Sequence, residues 1–189
     1  MKATLKSSLL SLFIIAAMSC KQKEEAKKAL NQNTSINKQD NNQPKYFYIT
    51  LKAIFKKNDF VSVFYTQDQN EVFNANQVLT KEVEASTEIQ DIIIEMPKED
   101  YPYNIRLDLG SNKDQLSVVI DECVLHYGSK AFKIKAKDFP KYFNFNDGVV
   151  MNADSTSFTL KTYKSNNVDF YDPFIIGNDE MINVLMIEL

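Results

Sequence analysis

From residue 45 onward the chain is a succession of short segments in which apolar and polar residues alternate. The clearest is 104–110, where Ile105, Leu107 and Leu109 alternate with Arg106 and Asp108. In a β-strand, successive side chains point to opposite faces, so this pattern predicts a strand with one buried face. No long helical period follows residue 45, and the glycines that separate the apolar segments lie where turns are expected. These glycines are Gly110, Gly128, Gly148 and Gly177.

Strand-like segments recur at intervals of roughly ten residues, which is typical of a β-sandwich or jelly roll. The first two are expected to form a hairpin, and the last to be a closing strand. Residues 138–143 predict one turn of helix capped by Asp138. The fold class predicted is therefore all-β, with a single sandwich domain over 45–189. The predicted strands are 46–53, 60–66, 81–85, 88–96, 104–110, 116–127, 131–136, 145–151, 156–163, 168–176 and 182–189.

The first residues have the pattern of a secretory signal. Lys2 and Lys6 precede an apolar run over 9–17, and small residues follow it. The run is shorter than the ~20 residues that a membrane-spanning helix needs. We therefore predict a signal peptide over residues 1–19.

The four residues that end this signal, Ala17-Met18-Ser19-Cys20, resemble a bacterial lipobox. The resemblance implies that Cys20 carries lipid, including palmitate, and is the first mature residue. Acyl chains anchor at ~0.8 kcal/mol per buried CH₂ group, and stable anchoring takes more than one chain. The alternative is an ordinary signal peptide followed by an incidental cysteine.

The segment after Cys20, Lys21-Gln22-Lys23-Glu24-Glu25, is similar to the export signal of Bacteroidota-type surface lipoproteins. This resemblance implies an outer-membrane, surface-exposed location, whereas the alternative is a solvated charged tether. Residues 20–44 are rich in Lys, Gln and Asn and have few apolar side chains, which predicts a disordered tether.

Charge and cysteine content exclude or disfavour several classes of function. Residues 46–189 have 14 basic and 22 acidic side chains, a net charge of −8, which argues against nucleic acid as a partner. With Cys20 lipidated, Cys123 is the only remaining thiol, so no intramolecular disulfide can form. Cys123 is expected to be buried. His126, the only histidine, has the opposite parity on the same strand, which disfavours a catalytic Cys–His pair.

Part of the domain is similar to the galactose-binding-like jelly rolls of surface glycan systems. The resemblance lies in 103–112 (Tyr-Asn-Ile-Arg-Leu-Asp-Leu-Gly-Ser-Asn), 118–120 (Val-Val-Ile), 126–128 (His-Tyr-Gly) and 132–135 (Phe-Lys-Ile-Lys). It implies sugar binding and, in some members, a structural calcium ion. The chain departs from this pattern in having no tryptophan, the usual stacking platform.

Sugar recognition needs a flat aromatic surface for C–H groups and polar side chains for hydroxyls. Residues of these types are expected in loops or on outward strand positions, although any one tyrosine could instead serve packing. Arg106 could instead form a structural ion pair with Asp108. The predicted ligand-binding residues are Tyr101, Tyr103, Arg106, Tyr163, Asn166, Tyr171 and Asp172; Tyr65, Asn167 and His126 are further candidates.

Three side-chain oxygens at alternate positions, on Asn152, Asp154 and Thr156, predict a turn that could bind calcium. The glycine and later glutamate of an EF-hand are missing. The sequence therefore predicts either no cofactor or a structural Ca²⁺ ion. The chain has no phosphate-binding glycine loop, HExxH, CxxC or GxSxG motif, which favours a protein that is not an enzyme. A glycosidase would need only two suitably placed carboxylates.

Together these features predict a membrane-anchored lipoprotein whose β-sandwich binds a ligand, most simply a glycan, without catalysis. The first alternative is a structural or adhesion lipoprotein that binds an envelope protein. The second is an enzyme acting on glycosides.

Overall fold

The computed structural model describes residues 45–189. The predictions for the signal peptide (1–19), Cys20 and the tether (20–44) lie outside the described residues. Within residues 45–189 there are two short helices, α1 (Phe139–Tyr142) and α2 (Asp179–Asn183), a 3-10 turn (Ala136–Asp138) and a π-helical turn (Val184–Glu188). The strands are β1 (Phe47–Phe55), β2 (Asp59–Thr66), β3 (Val78–Val83), β4 (Gln90–Glu95), β5 (Asn104–Asp108), β6 (Ser117–Tyr127), β7 (Lys130–Lys135), β8 (Phe143–Phe145), β9 (Val149–Met151), β10 (Ser157–Leu160), β11 (Tyr163–Ser165), β12 (Val168–Phe170) and β13 (Phe174–Gly177).

The strands form two main antiparallel sheets. The six-stranded sheet has the order β4-β1-β6-β10-β9. β7 also pairs with β6: β10 pairs with residues 117–119 of β6 and β7 with residues 122–127. The five-stranded sheet has the order β3-β2-β5-β13-β8, and β11 pairs with β12 in a separate ribbon. The inward side chains form one core, in which the largest rings are Phe47, Phe55, Phe139, Phe143 and Phe158. The predicted all-β sandwich is confirmed.

The predicted hairpin between the first two strands is wrong, because β1 and β2 belong to different sheets. β1 pairs with β4 and β6, whereas β2 pairs with β3 and β5. The polar connection between them is a corner at which the chain crosses from one sheet to the other. Hydrogen bonds fix this corner: Ala85 N donates to Asn58 Oδ1 at 2.8 Å, and Ser86 N to Phe55 O at 2.7 Å.

The predicted closing strand over 182–189 is also wrong, since the chain ends in α2 and the π-helical turn. Asn178 begins the helix: its Oδ1 accepts hydrogen bonds from Glu180 N at 3.0 Å and Met181 N at 3.3 Å. The buried residues that follow, Met181, Val184 and Leu185, have the three- and four-residue spacing of a helix. This cap and spacing explain why an apolar segment becomes helical here.

The helical turn predicted over 138–143 is present as α1, although Asp138 does not cap it through its side chain. Proline in the first turn of α1 is compatible with its lack of an N–H donor. Among the helices of residues 45–189, none is long and apolar enough to cross a membrane.

Candidate ligand-binding face

The outer face of the five-stranded sheet brings an arginine, two carboxylates and two phenylalanines together. On β5, Ile105 and Leu107 are buried in the core, so Arg106 and Asp108 lie on the opposite face. The strand register places Phe64 of β2 beside Arg106, and Phe174 of β13 beside Asp108. The pairing of three non-consecutive strands therefore assembles this group.

Arg106 is the centre of the group. Its Nε donates to Asp108 Oδ1 at 2.7 Å, and its Nη2 lies 2.9 Å from both Asp108 Oδ2 and Asp172 Oδ1. Its guanidinium carbon is 3.7 Å from the ring centroid of Phe174 and 5.0 Å from that of Phe64. We call these five residues the Arg106 face. Arg106 therefore forms the structural ion pair with Asp108 that the sequence offered as the alternative to a ligand contact.

The two carboxylates of the Arg106 face differ in exposure. The side chain of Asp172 is 44% exposed, whereas that of Asp108 is 18% exposed. Burial raises the pKa of Asp108 to about 6, and it outweighs the opposite effect of Arg106. Burial alone would lower the pKa of Arg106, but its bonds to Asp108 and Asp172 raise it overall. Arg106 therefore stays charged while Asp108 can change its protonation state near pH 6.

Asn146 positions the segment that contains Asp172. Its Nδ2 donates to Asp172 O at 2.6 Å, and its Oδ1 accepts from Phe174 N at 3.1 Å. The same oxygen accepts from Gly148 N at 3.1 Å. One amide side chain thus fixes the backbone on both sides of Pro173, which places Asp172 and Phe174 beside Arg106.

Tyr171 precedes Asp172, but its hydroxyl serves a different part of the fold. It donates to the carbonyl oxygens of Asn112 at 2.9 Å and Gln115 at 3.1 Å. Burial and the charge of Asp59 raise the pKa of Tyr171 to about 12. Asp59 holds the same loop, since its Oδ1 accepts from Ser111 N at 2.7 Å and Asn112 N at 3.0 Å. The structure therefore gives the Tyr171 hydroxyl a loop-anchoring contact.

The structure places Tyr101 and Tyr103 outside the Arg106 face. The hydroxyl of Tyr101 donates to Leu185 O, and its ring packs edge-on against Phe47 and Tyr127. Tyr103 precedes β5, and its backbone N–H donates to Thr66 O at 2.7 Å. The described contacts of both tyrosines are therefore structural.

Tyr163 and Asn166 belong to the β11–β12 ribbon. Tyr163 pairs across the ribbon with Phe170, and their ring centroids are 6.3 Å apart. Asn166 and Asn167 have φ angles of 51° and 63°, which form the tight turn at the ribbon tip. At the base of the ribbon, Gly148 lies close to both Tyr163 and Pro173, the residue that follows Asp172. Tyr163 and Asn166 lie near Asp172 in the chain, but the hydrogen bonds and ring contacts of Arg106 are with Asp108, Asp172, Phe64 and Phe174.

In the predicted calcium turn, the side-chain oxygens bond within the turn itself. Asp154 Oδ1 accepts from Thr156 N at 2.8 Å and Ser157 N at 2.7 Å. Asn152 Oδ1 accepts from Thr159 Oγ1 at 2.9 Å. Residues 45–189 contain no group of three or more His, Cys, Asp or Glu that could hold a metal ion. The contacts recorded for Asn152, Asp154 and Thr156 are those of a hairpin turn, and the calcium hypothesis stays a prediction.

The remaining candidates have structural contacts. Tyr65 is buried and donates to a carboxylate oxygen of Asp100. His126 stacks on Tyr48 with a centroid distance of 4.1 Å, and burial, together with Lys133, lowers the pKa of His126. Cys123 is fully buried, as predicted, and burial raises the pKa of its thiol to about 12. A buried thiol with a raised pKa is a poor nucleophile.

Phe64, Phe174 and Asn146 belong to the site but were not among the residues predicted from the sequence. Alternation along the strand predicts that Phe64 faces outward, because Val61, Val63 and Tyr65 are the inward residues of the same strand. Nothing in the sequence indicated that Asn146 lies beside Asp172, which is 26 residues away. No protein-family model, curated protein or solved structure matches this chain.

Proposed function

We propose that the protein is a lipoprotein anchored in the outer membrane through Cys20, and that its β-sandwich binds a glycan without catalysis. The observation that supports glycan binding is the Arg106 face, where two aromatic rings flank a partly exposed cluster of charged groups. The lipobox-like residues before Cys20 support the location.

The Arg106 face offers both kinds of contact that a sugar needs. The rings of Phe64 and Phe174 are half-buried, and the parts that the guanidinium leaves uncovered provide apolar surface for C–H groups. The carboxylate of Asp172 is the most exposed of the three charged groups, and its oxygens accept hydrogen bonds from hydroxyls. The hydrogen bonds of Arg106 to the described residues come from Nε and Nη2, so Nη1 can donate to a ligand oxygen.

A binding assay with residues 21–189 tests the proposal. This segment omits the signal peptide and Cys20 and includes all of the described residues, 45–189. We expect its migration to be retarded in native gels that contain a recognised polysaccharide. Phe174→Ala should weaken binding about tenfold, the equivalent of about 1.4 kcal/mol, because it removes the ring next to the guanidinium.

The control is Tyr46→Ala, which removes a ring that contacts Tyr48 of the six-stranded sheet and leaves the Arg106 face intact. It should bind like the unmodified chain. Absence of binding across a broad polysaccharide panel would contradict the proposal and favour an envelope protein as the partner. Release of reducing ends during the assay would instead favour an enzyme that uses Asp108 and Asp172.

A further inference from the structure

The charge balance of the Arg106 face limits which glycans it can accept. We infer that the ligand is a glycan without acidic groups, rather than a polysaccharide with uronate, sulfate or phosphate groups. The inference rests on the proposed function and names the class of its ligand.

The guanidinium of Arg106 is already neutralised by its neighbours. Asp108 binds it through both oxygens, at 2.7 Å and 2.9 Å, and Asp172 binds Nη2 through both oxygens, at 2.9 Å and 3.0 Å. With both carboxylates ionised, the three side chains have a net charge of −1. An acidic ligand would have to displace a carboxylate from the arginine or stay close to two negative charges.

The strand neighbours of this group add no positive charge. The residues that pair with Arg106 and Asp108 on β2 and β13 are uncharged: Phe64, Ser62, Ile176 and Phe174. Ser62 in turn shares a hydrogen bond with Thr80 at 2.8 Å. Sites that recognise acidic groups normally combine unpaired arginine or lysine side chains, and Arg106 is paired.

The net charge of the whole domain also disfavours acidic ligands. Residues 46–189 have a net charge of −8, so a polyanion is repelled before it reaches the Arg106 face. A neutral sugar does not have to displace a carboxylate from Arg106 and is not repelled by the acidic domain. Its hydroxyls can donate to Asp172, and its C–H face can pack on the phenylalanine rings. Binding of such a ligand should depend little on salt, because no charge pair forms between protein and ligand.

The test compares neutral and acidic polysaccharides with residues 21–189 at 50 mM and 500 mM NaCl. The neutral panel is galactomannan, mannan and glucan, and the acidic panel is polygalacturonate, alginate and heparin. We expect a member of the neutral panel to bind, with less than a twofold change in affinity between the two salt concentrations. Acidic members should bind at least tenfold more weakly.

A charge variant separates local from global electrostatics. Asp172→Asn removes one carboxylate from Arg106 and should raise affinity for the acidic panel severalfold. Asp91→Asn makes the same change in net charge on β4 of the other sheet, and it should leave the affinity for the acidic panel unchanged.

Salt-sensitive binding of an acidic polysaccharide, lost in Arg106→Met, would overturn the inference and leave the proposed function standing. Failure of both panels to bind would overturn the proposed function and the inference with it. Equal gains in Asp172→Asn and Asp91→Asn would show that only net charge matters, which overturns the role of the Arg106 face.

Discussion

At the scale of single residues, Asp108 makes the stability of the domain depend on pH. Its folded-state pKa of about 6 lies above the ordinary value of 3.8, so the folded protein binds a proton more readily than the unfolded chain. The contribution of protonated Asp108 to the free energy of unfolding is therefore fully present below pH 3.8. It is lost as pH rises through about 6. Relative to Asp108→Asn, the unmodified chain should gain about 2–3 kcal/mol of unfolding free energy between pH 7 and pH 4. Urea titrations at both pH values measure this difference.

Asp154→Asn provides a control of opposite sign. Hydrogen bonds from the Ser157 hydroxyl and from the Ser157 and Thr156 backbone lower the pKa of Asp154 to about 2. Its contribution is thus present above pH 3.8 and lost as pH falls towards 2. Between pH 7 and 5, Asp154→Asn should keep a constant difference from the unmodified chain. A constant difference for Asp108→Asn over the same range would contradict the burial argument.

Gly110 is a second residue with a predictable effect. Its φ of 137° is accessible to glycine and strained for other residues, and an added Cβ would meet the Asp59 carboxylate. Gly110→Ala should destabilise the fold by about 3 kcal/mol, measured by urea unfolding at pH 7. Asn167→Gly, at a φ of 63°, introduces glycine where positive φ is already required, and stability should stay within about 0.5 kcal/mol. Comparable losses in both variants would show that the strain at Gly110 is misjudged.

At the scale of elements, Tyr101 connects the C-terminal helical segment to the sandwich. Its hydroxyl donates to Leu185 O, and its ring packs against Phe47. Tyr101→Phe keeps the ring and should cost about 1–2 kcal/mol, with faster amide exchange confined to 179–188. Tyr103→Phe, whose hydroxyl has no recorded bond in the described part of the chain, is the matched control. Unchanged exchange in Tyr101→Phe would mean that packing alone holds the helix.

Alternation within the sequence predicts strands because it depends only on one face being buried. It therefore located β5 and β6 almost to the residue. It does not say which sheet a strand joins, and this explains the wrong hairpin between β1 and β2. The strand predicted for the closing segment is wrong because apolar content alone does not distinguish a strand from a helix in a short segment. The helical spacing of its buried residues follows Asn178, a residue suited to begin a helix.

The candidate site was predictable only where its residues are close in sequence. Arg106 and Asp108 are two positions apart on one strand, so their pairing follows from alternation. Asp172 reaches the same arginine from 66 residues away. That contact depends on β13 pairing with β5, which no local pattern encodes, and on the Asn146 side chain that shapes the approach to β13.

At the scale of the whole molecule, the proposed anchor and the sandwich have separate roles. The described part of the chain has its own continuous core, to which both sheets contribute. We therefore expect the sandwich to fold without the lipid. The predicted lipid would instead determine where the sandwich is displayed, and a glycan-binding face at the cell surface would act at the high local concentration that a membrane imposes.

The location is tested by Cys20→Ser in the full chain, expressed in a Bacteroidota host. The serine has no thiol to acylate, so labelled palmitate should no longer enter the protein, and most of the chain should move from the membrane to the soluble fraction. Cys123→Ser is the matched control, because Cys123 is buried in the core and should not affect labelling. Replacing residues 21–25 with Ser-Gly repeats should keep labelling but reduce protease accessibility in intact cells. Membrane retention of the Cys20→Ser protein, with normal labelling, would show that residues 17–20 are not a lipobox.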